Sequence, residues 1–121
     1  MDQTTNAKKI GQKIKKLRKK NKLTQKQIAD FLDSNQTYIS KIEQGKKNIN
    51  INSLEKIANL FGYSINYFTN KNNKNHKYDP IKQTLKLYVK NITNEDLKVM
   101  ENINKIAINI FESMTELIYN K

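Results

Sequence analysis

The sequence predicts an all-α chain, on three observations. Two short amphipathic segments lie on either side of a tight turn between Thr24 and Lys47. The basic segment ahead of them carries Ile10, Ile14 and Leu17 at i, i+4 and i+7, which is one face of a helix. After Thr93, the residues Met100, Ile103, Ala107, Ile110, Met114 and Leu117 advance in steps of three and four.

Residues 1–5 are expected to be without order, with Thr5 or Asn6 capping a first helix that runs to about Lys20. Lys8, Lys9, Lys13, Lys15, Lys16, Lys19 and Lys20 stand opposite its apolar stripe and read as a solvated face. The second helix runs from Thr24 or Gln25 to Leu32, with Ile28, Ala29 and Leu32 inward. The third runs from about Asn35 to Gln44, with Ile39 and Ile42 inward and Asn35, Gln36, Thr37 and Lys41 outward. So short a connection makes the two cross steeply, and that crossing lets a polar helix face enter a DNA major groove. A fourth helix from Ile51 or Ser53 to Phe61 places Leu54, Ile57, Ala58 and Phe61 inward and stops at Gly62. A short fifth helix near Ser64 to Thr69 closes a domain over residues 6–69.

Residues 70–80 are polar, low in complexity and ended by the only proline, so they read as a linker. Residues 81–121 read as a C-terminal helical oligomerisation segment. Within it, residues 81–92 fit either a helix or, at Leu85 to Val89, a strand; helix is preferred. Thr93-Asn-Glu-Asp96 resembles a capping box. With Val99, Ile106, Phe111 and Ile118 added, the last apolar face is broader than a two-stranded coiled-coil seam. Residues 81–92 cover only part of it, so Met100, Ile103, Ala107, Ile110, Met114 and Leu117 are expected to pair two chains.

The formal charge is +12, and it is uneven. Residues 1–69 hold 14 Lys or Arg against 5 acids, whereas residues 92–121 hold 3 against 5. A basic front suits a polyanion, and a mildly acidic tail suits protein contacts. There is no cysteine, so there is no disulfide or thiolate site, which does not by itself fix the compartment. There is no signal-peptide pattern and no apolar run long enough to span a membrane, so a cytoplasmic protein is expected. The basic first helix invites a membrane-surface reading, but its narrow stripe is needed for the core. His76 is alone in the linker, and a metal site needs companions. No glycine-rich phosphate loop and no nucleophile–base set is present, so no catalytic residue, metal or cofactor is assigned and an enzyme is not expected.

Several segments carry a resemblance in the right order. They are Thr24-Gln25, Ala29 at the crossing, Ile39, and Ile42-Glu43-Gln44-Gly45-Lys46. Leu54-Glu55-Lys56-Ile57-Ala58 and Leu60-Phe61-Gly62-Tyr63-Ser64-Ile65-Asn66-Tyr67-Phe68 follow. Over residues 10–68 the chain resembles the lambda-repressor-like (Cro/C1-type) helix-turn-helix family of phage and bacterial repressors. One departure is Asp33, where the family usually has glycine in the turn; Asp tolerates a left-handed backbone better than most residues.

The resemblance implies a five-helix DNA-binding domain with double-stranded DNA as partner. It implies that Gln25 holds a phosphate and Gln36 reads a base, and glutamine suits adenine because its amide accepts from N6 and donates to N7. The plainer reading of Gln36 is an exposed polar residue or a phosphate contact. Asn35, Thr37 and Lys41 are the other candidate base contacts; Gln44, Lys46 and Lys47 are candidate phosphate contacts. Tyr38 either stacks on sugar or thymine methyl or packs on the second helix. The resemblance also pairs Arg18, the only arginine, with Glu43; a phosphate-binding or exposed Arg18 is the alternative. The expected function is sequence-specific transcriptional regulation, chiefly repression at an inverted repeat by a homodimer. Alternatives are an antitoxin or mobile-element repressor whose C-terminal helices bind a toxin or a metallopeptidase, and an interaction adaptor that binds no DNA. The polar set Gln25, Gln36, Lys41 and Lys46 argues against the adaptor.

Overall fold

The computed structural model describes residues 3–69 and 92–119. Among them the fold is all-α, with six helices: α1 (Gln3–Lys20), α2 (Gln25–Phe31), α3 (Gln36–Glu43), α4 (Ile51–Phe61), α5 (Asn66–Thr69) and α6 (Asn94–Tyr119). The linker with His76 and most of residues 81–92 lie outside the described residues.

Side chains set most of the helix starts. Thr24 caps α2: its Oγ accepts from Gln27 N–H at 3.0 Å, while Gln27 Oε1 accepts from Thr24 N–H at 2.8 Å. These reciprocal bonds satisfy backbone donors that the first helical turn leaves over. Asn35 caps α3 and Asn50 caps α4 in the one-sided form, each accepting at 2.8 Å from the N–H three residues on. The first helix begins at Gln3, earlier than the expected cap at Thr5 or Asn6, since no proline or glycine interrupts that stretch.

The first four helices share one kind of stop, a left-handed residue just past the end. These are Lys22 (φ 59°), Asp33 (φ 54°), Gly45 (φ 77°) and Gly62 (φ 78°). After each, the chain folds back on a late carbonyl: Leu23 N–H to Arg18 O, Ser34 N–H to Ala29 O, Lys46 N–H to Lys41 O and Tyr63 N–H to Ala58 O, all within 3.0 Å. Two of the four positions thus hold residues with a Cβ, which strains them.

One core serves all six helices. Ile14 and Leu17 of α1, Ile28, Ala29 and Phe31 of α2, Ile39 and Ile42 of α3, and Leu54, Ile57 and Phe61 of α4 are buried together. Phe31 takes the deep position expected of its neighbour Leu32, which is half-buried. At the far end Tyr67 stacks on Tyr63 with centroids 4.4 Å apart. Lys13 reaches in to donate to Tyr67 O at 2.7 Å, and its ammonium lies 5.0 Å from the Tyr67 ring centroid. Partial burial, then the nearby Lys9, lowers its pKa. Lys13 is therefore not part of the solvated face; it ties α1 to α5.

The last helix departs most from expectation. Its first half packs against α4 and α2. Thr93 and Asp96 form the reciprocal cap at 2.9 and 3.1 Å, and Gln27 Nε2 donates to Ile92 O at 3.4 Å. Leu97, Asn104 and Ile108 are buried, and Met100 packs on the core. Asn104 Nδ2 donates at 3.1 Å to Leu60 O, a carbonyl in the last turn of α4 that the helix itself leaves over. Leu60, not among the inward positions expected of the fourth helix, is buried here as well. The expected pairing set therefore divides. Met100 and Ala107 are half-buried on the inner side, while Ile103, Ile110, Met114 and Leu117 are exposed, as are Val99 and Ile106. A neighbouring helix of the same chain covers part of the face that seemed to need a second copy.

The strain at Lys22 gives a stability prediction. A left-handed backbone costs an L-residue roughly 1–2 kcal/mol, and glycine returns about 0.5–1 kcal/mol of that through its freer unfolded chain. Lys22→Gly should stabilise the domain by up to about 1 kcal/mol, a rise of several degrees in the thermal midpoint. Asp33→Gly should gain less. A lower midpoint for Lys22→Gly would show that this turn does not hold a left-handed residue.

Candidate nucleic-acid interface

The α3 face is built on a buried charge. Glu43, in the last turn of α3, is 5% exposed, and Arg18 of α1 is 8% exposed. Arg18 Nε donates to Glu43 Oε2 at 2.7 Å and Nη2 donates to Oε1 at 3.0 Å. The fork is completed by Nη1, which donates to Leu23 O at 2.8 Å. A planar guanidinium matches a carboxylate in this two-bond geometry, which an ammonium cannot reproduce.

The network continues to the surface. Gln25 Nε2 donates to Glu43 Oε1 at 3.0 Å, and Gln36 Nε2 donates to Gln25 Oε1 at 3.3 Å. Four side chains on three helices therefore form one hydrogen-bonded line, from Arg18 in the core to Gln36 on the exposed start of α3. Each joint constrains the next, so the Gln36 amide is oriented from within.

Close backbone contact makes the line possible. Gly11 of α1 sits against the end of α3, and a Cβ there would collide with the Ile42 carbonyl oxygen. A lone glycine inside a helix costs about 1 kcal/mol relative to alanine, a penalty that signals close packing at this crossing. Gly45 is similarly pressed, since a Cβ on it would lie 2.8 Å from Lys8 Cα.

The other candidates fall around α3. Gln36, Thr37 and Lys41 are exposed on the helix, and Lys46 and Lys47 are exposed in the loop that follows. Asn35 has its Oδ1 committed to the α3 cap, which leaves its NH₂ for another partner. Gln44 Nε2 donates to Ser40 Oγ at 2.9 Å along the same face. Tyr38 is half-buried and packs on the core, and Lys47 Nζ lies 5.1 Å from its ring centroid, a cation–π arrangement. Of the two readings of Tyr38, packing describes its observed contacts. Gln25, Asn35, Gln36, Thr37, Tyr38, Lys41, Gln44, Lys46 and Lys47 thus belong to one region. The α6 residues expected to pair two chains are elsewhere.

A family model described as Helix-turn-helix matches residues 14–68. Control protein C.MunI of a Mycoplasma species is 44% identical over 57 residues, 46% of this chain and 77% of that protein. The chain belongs to the helix-turn-helix family. Control protein C.BamHI of Bacillus amyloliquefaciens is 38% identical over 54 residues, 44% of this chain and 67% of that protein. An immunity repressor protein of Bacillus phage phi105 is 36% identical over 56 residues; the match spans 46% of this chain and only 39% of that protein. No solved structure matches. This helix-turn-helix chain is a DNA-binding transcriptional regulator. The family match ends at Phe68, so α6 lies beyond it. Among the described residues, no helix is long and apolar enough to cross a membrane.

Arg18 is the residue on which the helix-turn-helix geometry can be tested. Arg18→Lys keeps the charge but loses the fork, and should lower the thermal midpoint. Arg18→Ala leaves Glu43 buried without its cation and should cost about 3–5 kcal/mol. Two unchanged melting curves would mean that the pair does not set the helix packing.

Proposed function

We propose that this chain is a repressor that binds an inverted-repeat operator as a homodimer, with α3 in the major groove of each half-site. The observation that carries the reading is the line of hydrogen bonds ending at Gln36. One N–H of that amide is held by Gln25. The second N–H and Oε1 remain for N7 and N6 of an adenine, the two atoms a glutamine amide reads together. Gln25 acts mainly as the positioner of Gln36, with its own second N–H turned to the phosphate role. Thr37 and Lys41 extend the reading face, and Lys46 and Lys47 lie where the backbone flanks the groove.

A dimer follows from magnitudes. One bidentate base contact discriminates by ~1–3 kcal/mol, and one short helix offers few of them. Two helices about one DNA turn apart double that discrimination and require a two-fold operator. Occupying such a site beside a promoter blocks polymerase. That one relative is named an immunity repressor favours this direction of control.

Binding should be steeply salt-dependent. With about 6–10 phosphate contacts, affinity should fall ~10³–10⁵-fold between about 50 and 200 mM salt. Lys46→Ala should flatten that slope by about one unit and leave the preferred sequence unchanged. A slope near zero in fluorescence anisotropy would sink the duplex-DNA reading.

Gln36→Ala should relax the preference at one base pair of each half-site, an A·T pair, at ~1–3 kcal/mol per contact. The measurement is selection of bound sites from a random duplex library by parent and variant. Identical selected sites at every position would remove Gln36 from the reading set.

A further inference from the structure

Helix α6 has an inner and an outer apolar side, and the body of the domain covers the inner one as far as Ile108. The inner stripe carries Leu97, Met100, Asn104 and Ile108 against α4 and the core. The outer stripe carries Val99, Ile103, Ile106, Ile110 and Leu117, which are 37–68% exposed. Steps of four, three, four and seven follow the alternating four-and-three spacing of a heptad, with Ser113 at the remaining seam position. That repeat keeps two helices in register along a shared seam. Docking on the body narrows the apolar face only as far as Ile108; beyond it Phe111, Met114 and Ile118 stay exposed beside the stripe.

The flanks of the outer stripe say what covers it. On one side lie Asn102, Asn109 and Glu116, on the other Met100, Ala107 and Met114. Only one of these six is charged. Flanking charges are the usual means by which a helix selects a different partner and rejects its own copy. Their near-absence here lets an identical helix approach without a ladder of like charges. The stripe runs about 27 Å from Val99 to Leu117 at 1.5 Å per residue, long enough for repeated layers of contact.

We infer that the outer stripe of α6 is the two-fold seam between two copies of this chain, and that it fixes the spacing of their recognition helices. The inference rests on the dimeric reading above and adds to it. The helix that pairs the copies is also a wall of the DNA-binding body, through Leu97, Asn104 and Ile108. No tether separates reading from pairing, so residues 70–91 do not set the distance. The operator therefore has one allowed half-site separation. One added base pair shifts a half-site by about 3.4 Å and turns it by about 35°, which a rigid dimer cannot follow.

Sedimentation of the full chain tests the seam without DNA. The parent should dimerise. Ile106→Glu with Ile110→Glu should weaken self-association at least tenfold and leave the circular-dichroism melt of the body unchanged, because both side chains are exposed. A parent that stays monomeric at about 100 µM, where even a weak pair with affinity near 1 µM would be saturated, would overturn the inference and give the stripe to another protein. A double variant that dimerises as tightly as the parent would place the interface elsewhere. Rigidity has its own readout. The chain has no cysteine, so Lys19→Cys carries a single spin label per copy. The label-to-label distance across the dimer should be one narrow peak, unmoved when residues 72–90 are replaced by Gly and Ser at equal length. A broad or shifted distribution would overturn the fixed spacing. A dimer with these properties that binds no duplex would keep the seam and sink the operator reading, so the two failures are distinct.

Discussion

The helix-turn-helix half of the molecule depends on the burial of one carboxylate. Removing Glu43 from water is costly unless its oxygens are filled with donors. They are filled from two other helices, by Arg18 of α1 and Gln25 of α2. The charge therefore acts as a geometric demand: α1, α2 and α3 must come together at one angle or leave it unpaired. A hydrophobic cluster of the same volume could give equal stability, since apolar packing does not set angles so narrowly. The absence of a side chain at Gly11 lets α1 and α3 approach closely enough for the demand to be met.

That arrangement links the interior to the surface. The amide of Gln36 is not a loose side chain at the end of a helix; its orientation is inherited from Gln25, and that of Gln25 from Glu43. Preorganisation of this kind lowers the ordering cost when DNA is bound. It also means that substitutions inside the domain reach the exposed face of α3 without touching it.

Much of this was legible from residue types. Thr24 with Gln27, Asn35 and Gly62 signal helix ends by local chemistry, and local chemistry is what a sequence displays. The periods of α1, α3 and α4 showed which faces turn inward. The relations that depend on two distant segments were not legible. Asn104 reads as a polar interruption of an apolar stripe until Leu60 O is seen beside it. Lys13 looks like its lysine neighbours, because nothing local marks the carbonyl of Tyr67 as its partner. The breadth of the α6 face was visible, but breadth alone does not reveal that a neighbouring helix of the same chain takes half of it. At the candidate site the residues were recognisable by resemblance, whereas the continuous bonding from Arg18 to Gln36 was not, since it spans three helices.

The two stripes of α6 also govern how the chain can change in length. One residue inserted in this helix turns everything beyond it by about 100°, exchanging inner side for outer. Insertion of a heptad turns it by only about 20° and preserves both. Related chains are therefore expected to vary in length within this helix only in units of seven, a pattern of gaps that marks a helix used on two sides.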